Sequence, residues 1–125
     1  MLQVIDWRRE HGYLVGDAVL SEVGVVLGKS LRATDLLARL GSEKFASMIT
    51  EASAEDAERV CARILESVRS HSFAGLEPGV VRLSLGAASF PGGSIETVDE
   101  LINAALSRLD QAKEKGGGRA VTSEG

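Results

Sequence analysis

Three groups of residues in this 125-residue chain have the types and spacing to do chemistry. Arg32 and Asp35 stand three apart in Arg32-Ala33-Thr34-Asp35. A guanidinium binds phosphate through two parallel hydrogen bonds and stacks on a purine, and a carboxylate accepts from the amino edge of guanine. The same two residues could equally form a surface ion pair at a helix–strand junction, worth little to stability. Further on, Gly41-Ser42-Glu43-Lys44 reads as a turn. Its carboxylate, Glu43, suits either a hard cation or plain solvation. The third group is Lys113, Lys115 and the glycines 116–118. They could cradle a phosphate, but read better as a helix C-terminus with favourable cations and a glycine stop.

Other combinations carry less. His11 and His71 lie far apart with no cysteine beside either, so a zinc site has little support. Ser84 lacks the G-x-S-x-G surroundings of a nucleophile. Cys61, the single cysteine, falls in a helical apolar pattern and reads as a buried structural thiol. Arg63 taken alone is a solvated helix residue, and Trp7 an anchor for the first segment. With 18 acidic against 14 basic residues the net charge is −4, which gives no global attraction to nucleic acid or anionic lipid. A bound anion must therefore be held by a local cluster of Arg or Lys.

The elements that must position these residues follow from periodicity. Leu2 to Ile5 reads as the tail of a strand. Asp17 caps a helix running to about Ser30, with Val19, Leu20, Val23, Val26 and Leu27 on one face. Leu36–Leu40 and Phe45–Ile49 form a hairpin around GSEK, with Gly41 supplying the special turn angles. Ser53 caps a second helix to about Ser70, whose apolar face is Ala57, Val60, Cys61, Ile64, Leu65 and Val68. Val80–Ser89 is a strand. Thr97–Lys115 is a third helix that should bury Val98, Leu101, Ile102, Ala105, Leu106 and Leu109, and Arg119–Val121 a last edge strand. Helices interleaved with antiparallel pairing predict an α/β layer with helices packed on a mixed sheet.

Four segments in order resemble the GGDEF family of diguanylate cyclase domains. HGYLVGDAVL (11–20) is similar to YGHxxGDxxL, and GSEKF (41–45) occupies the place of GGDEF. RLSLGAASFP (82–91) is similar to SxG(I/V)AxxP, and AALSRLDQAKEKGGGRAV (104–121) to ADxALYxAKxxGRNxV. The resemblance implies a cyclase-like sandwich with a central, mostly antiparallel five-stranded sheet flanked by helices. It gives a degenerate domain over residues 1–121 whose first strand is incomplete or absent, and a tail at 122–125. In the family two such domains face each other, each with one GTP, and make cyclic di-GMP with two divalent cations held by carboxylates.

Carried over residue by residue, the resemblance makes Asp17 a guanine-binding carboxylate, Gly41 the first glycine of the motif and Glu43 its weak metal ligand. Lys113 becomes the phosphate-contacting lysine. Ser42 replaces the second glycine, and Lys44 reverses a charge beside the metal site. Arg8 stands for a guanine-binding Asn and Ile5 for a phosphate-binding Lys. The first-strand Asp falls just before residue 1, and Asp6 could replace it only with about four residues deleted. Arg32 and Asp35 match the family's inhibitory RxxD motif, and Arg63 a further arginine of that site. The expectation is a catalytically inactive domain that binds cyclic di-GMP through Arg32, Asp35 and Arg63, with no cofactor. The alternatives are a dimerisation or interaction module beside an EAL or other signalling domain, or a residual cyclase using Mg²⁺. No apolar run is long enough to span a bilayer, which with the lone cysteine places the domain in the cytoplasm, in a larger or membrane-anchored parent.

Overall fold

The computed structural model describes residues 2–9, 17–32, 34–40, 44–49, 54–71, 81–90 and 95–123. Eight elements follow in order: β1 (Leu2–Arg9), α1 (Asp17–Lys29), β2 (Leu36–Arg39), β3 (Lys44–Met48), α2 (Ala54–Arg69), β4 (Val81–Ala88), α3 (Val98–Glu114) and β5 (Ala120–Val121). The five strands form one sheet in the order β2-β3-β1-β4-β5, antiparallel except where β4 pairs β5. The α/β class and the mostly antiparallel sheet expected from sequence are what forms.

The first segment is an eight-residue strand rather than a four-residue remnant. It lies between β3 and β4, with Ile5 opposite Phe45 on one side and Leu85 on the other. Its second half, Asp6-Trp7-Arg8-Arg9, is too polar to show as a strand by hydrophobicity. Pairing with β4 along its whole length, and with β3 as far as Asp6, holds its backbone regardless of side-chain type.

Alternation along the strands sorts residues to two faces. Ile5, Phe45, Leu83, Leu85 and Ala87 pack in one cluster with Val23 and Leu27 of α1 and with Ala57, Cys61, Ile64 and Val68 of α2. On the opposite face Ala88 clusters with Ile95 and with Leu101, Ala105 and Leu109 of α3, while Leu2 packs partly against them. Gly86 lies beneath α3. A Cβ there would sit 2.8 Å from Leu109 Cα and closer still to Ala105 O and Leu109 N.

α3 departs from its expected burial. Leu101, Ala105 and Leu109 are buried, but Val98, Ile102 and Leu106 are exposed. In their stead Arg108 is buried, donating from Nη1 to Ala87 O at 2.8 Å and to Thr122 O at 3.4 Å, with Nε left without a partner. At 3.6 residues per turn, Ile102 and Leu106 lie on the flank away from Arg108 and β5. The cross-strand row Ala88–Leu2–Met48–Leu36 shows why they stay exposed. α3 covers its first two members, whereas Met48 and Leu36 lie beyond the helix and are exposed.

Helix ends are stopped locally. Thr97 Oγ1 accepts from Glu100 N and donates to Glu100 Oε1, capping α3. At its other end Gly116, Gly117 and Gly118 have φ of 104°, 73° and 66°, and Gly117 N donates to Ala112 O. This is the glycine stop expected from the sequence.

Candidate functional site

The junction between α1 and β2 is a tight turn. Asp35 N donates to Arg32 O at 3.0 Å, and Arg32 N donates back to Asp35 Oδ2 at 2.8 Å. The Arg32 Nε is 3.6 Å from the same carboxylate oxygen. The Asp35 side chain is only 3% exposed while that of Arg32 is 58% exposed. The buried carboxylate therefore fixes the turn, and the turn holds the guanidinium outward.

Arg63 approaches from α2. Its Nη2 donates to Ser30 O at 2.9 Å, tying the middle of α2 to the last carbonyls of α1. Arg32, Asp35 and Arg63 thus line one cleft of about 370 Å³, together with Ser30, Ile49, Val60, Asp56 and Arg59. The last two form an ion pair, with Arg59 Nη2 2.7 Å from Asp56 Oδ1. Sequence reading missed Asp56 and Arg59. A signal existed: in a helix, residues 56, 59, 60 and 63 share one face, so an arginine at 63 brings the other polar residues with it. The cleft holds three guanidinium groups and two carboxylates above an apolar floor, a donor set suited to phosphate and to the edges of a purine.

The residues matched to the other motif lie elsewhere. Five residues run from Leu36 to Leu40, about 16 Å of extended chain, so the hairpin closes at the end of β2 away from Asp35. The turn itself, with Gly41, Ser42 and Glu43, lies outside the described residues. Lys44 opens β3, where its carbonyl accepts from Leu40 N at 2.7 Å and its side chain is exposed. In the β1–β3 register Asp6 stands directly opposite Lys44. The backbone thus brings an aspartate of the first strand to the base of the hairpin, where the ungapped count had no carboxylate. Asp17 is the first residue of α1, and Lys113 is exposed in the last turn of α3. Among the described residues no three His, Cys, Asp or Glu side chains are grouped to hold a metal ion. Cys61 is buried at the α2–sheet contact. Burial, with a smaller contribution from Glu58, pushes its thiol up to about 12, so it is not a nucleophile at neutral pH.

Residues 6–119 match the model of the diguanylate cyclase GGDEF domain. The chain belongs to the GGDEF family. It is 34% identical over 113 residues to the probable diguanylate cyclase DgcT of Escherichia coli, covering 88% of this chain and 25% of that protein. It is 36% identical over 118 residues to the uncharacterized protein YhcK of Bacillus subtilis, covering 92% of this chain and 32% of that one. The GGDEF domain of PA1120 (YfiN or TpbB) from Pseudomonas aeruginosa superposes with a TM-score of 0.81 at 28% identity, over 94% of this chain and 78% of that one. This GGDEF chain spans a quarter to a third of the length of these two curated relatives. None of its described helices is long and apolar enough to cross a membrane.

Proposed function

We propose that this GGDEF domain serves cyclic di-GMP signalling as a catalytically inactive module that binds cyclic di-GMP in the cleft of Arg32, Asp35 and Arg63. The observation that carries this reading is the convergence of the three residues, from two elements, on one cleft. Arg32 and Arg63 hold the phosphates. Asp35 fixes the turn and lines the cleft beside them, and Arg59 with Asp56 widens the polar wall.

Loss of catalysis is supported at the other end of β2. Metal affinity depends on summed negative charge, and Lys44 places a cation beside Glu43 and opposite Asp6. Ser42 puts a side chain where the family motif keeps backbone open to phosphate.

Calorimetric titration with cyclic di-GMP, and separately with GTP plus Mg²⁺, tests both parts. Micromolar binding of cyclic di-GMP is expected. Removing a charge-assisted hydrogen-bond donor costs about 1.5–3 kcal/mol, so Arg32→Ala should weaken binding about 10- to 150-fold. No heat with cyclic di-GMP refutes the receptor. Metal-dependent formation of cyclic di-GMP from GTP, read by chromatography, refutes the inactivity.

A second reading, an interaction module joining a homodimer or a neighbouring EAL or other signalling domain, is favoured by one observation. Leu36 and Met48 on the sheet, with Val98, Ile102 and Leu106 on α3, leave large apolar side chains exposed. Concentration-dependent sedimentation of the domain, reversed by Ile102→Glu, would support it.

A further inference from the structure

A second cleft, of about 600 Å³, runs beside the first between the end of α1 and the second half of α2. Arg32 and Arg63 line both clefts, and Ser30 is shared as well. Beyond them the second is lined by Lys29, Ser67, Ser70 and His71. The chemistry of the two differs. The first has carboxylates suited to a base edge, whereas among the described residues no carboxylate lines the second. Lys29, Arg32 and Arg63 thus gather three cationic groups beside the His71 imidazole in a chain of net charge −4. The imidazole is held from outside the lining by Glu22, with His71 Nε2 3.3 Å from Glu22 Oε2.

A helix C-terminus ordinarily repels anions through its exposed carbonyls. Here three of the last four in α1 are occupied, and so is that of Ser30 just beyond it. Val26 O accepts from the Ser30 hydroxyl, Leu27 O from Ser30 N, Gly28 O from Leu31 N and Ser30 O from Arg63. With these oxygens taken up by donors, the side-chain cations and the Ser67 hydroxyl set the character of the groove, while Ser70 Oγ donates to Glu66 O.

Its length suggests the ligand. From Arg63 to the end of α2 at Arg69 is six residues, about 9 Å along the axis, and His71 lies beyond that end. One phosphate cannot reach the polar groups at both ends, but linked phosphates can. Among the described residues the lining offers no Phe, Tyr or Trp on which a base could stack. We propose that the α1–α2 groove is an anion site for linked phosphates, either free pyrophosphate or the polyphosphate tail of a nucleotide. Because it draws on Arg32 and Arg63, its occupant competes with the nucleotide in the first cleft. Binding in the groove stands by itself; only the competition rests on the reading of that cleft as a cyclic di-GMP site.

The test is calorimetry on the full chain with pyrophosphate, orthophosphate and metal-free ATP as separate titrants. Pyrophosphate should bind about tenfold or more tightly than orthophosphate. ATP binding more tightly than pyrophosphate names the nucleotide tail as the source, and the reverse names the free anion. The double variant Lys29→Ala/His71→Gln, which leaves the residues of the first cleft intact, should lose about tenfold or more in pyrophosphate affinity while binding cyclic di-GMP as before. Saturating pyrophosphate should raise the apparent Kd for cyclic di-GMP about fivefold or more in the unaltered chain and leave it unchanged in the double variant. Absence of pyrophosphate binding, or binding indifferent to the double variant, overturns the site. Pyrophosphate binding without any cyclic di-GMP binding keeps the site and sinks the receptor reading instead.

Discussion

Gly86→Ala tests the packing that holds α3 to the sheet. Gly86 is not among the glycines with positive φ, so its role is space rather than backbone freedom. An added Cβ would lie 2.8 Å from Leu109 Cα, against the 3.4 Å at which ordinary contact begins, and nearer still to Ala105 O and Leu109 N. These are backbone atoms, so no rotamer change relieves the clash. The helix must retreat by more than half an ångström, and gaps of about 0.5–1 Å forfeit a quarter to a half of each dispersion contact. The retreat loosens Leu101, Ala105 and Leu109 from Ala88 and lengthens the 2.8 Å bond from Arg108 to Ala87 O. Overpacking costs about 1–3 kcal/mol where side chains can adjust. With backbone on the far side, the expected loss is about 3 kcal/mol or more, a large part of a domain stability of about 5–15 kcal/mol. At a urea slope of about 2 kcal/mol per molar, the unfolding midpoint should fall by about 1.5 M. Gly28→Ala is the control, because a Cβ there meets nothing within 4 Å. In the last turn of α1 it should leave stability unchanged or raise it by up to about 1 kcal/mol. Both are read by urea unfolding followed by circular dichroism. A Gly86→Ala variant within about 1 kcal/mol of the parent would refute this account of the α3–β4 contact.

Two further outcomes follow from buried groups. Arg108→Ala, which removes the donor to Ala87 O and leaves a void under α3, should cost about 2 kcal/mol or more in urea. Arg108→Met, which fills the space without burying an unpartnered Nε, should cost about half as much or less. Cys61 has its thiol raised from 9.0 to about 12, so the folded protein holds this proton where the unfolded chain releases it. Its contribution to stability is therefore fully present below pH about 9 and lost as pH rises toward about 12. Urea melts of the parent should weaken across that window relative to those of Cys61→Ala, and Cys61 should resist thiol reagents at pH 8 until the domain is unfolded.

The sequence by itself determined which segments are helical, where the hairpin lies and where α3 stops. Each of these depends on local chemistry: the 3.6-residue recurrence through Val23, Leu27, Ile64 and Val68, the Thr97 cap, and three glycines that alone tolerate positive φ. It also marked Arg32, Asp35 and Arg63 by their order along the chain. Only the tertiary structure decided what these residues share. The turn that buries the Asp35 carboxylate and turns Arg32 outward depends on Arg32 and Asp35 closing on one another. The meeting with Arg63, and the entry of Asp56 and Arg59 into the same cleft, depend on how α2 is laid against α1. Periodicity names an apolar face but not the extent of the layer that covers it. Ile102 and Leu106 therefore read as core and stand exposed, while Arg108, which no apolar pattern marks, lies buried with its guanidinium on Ala87 O. The polar half of β1 was hidden for a related reason. It is held by backbone hydrogen bonds to β4, joined at Asp6 by β3, and those leave no trace in its own side chains.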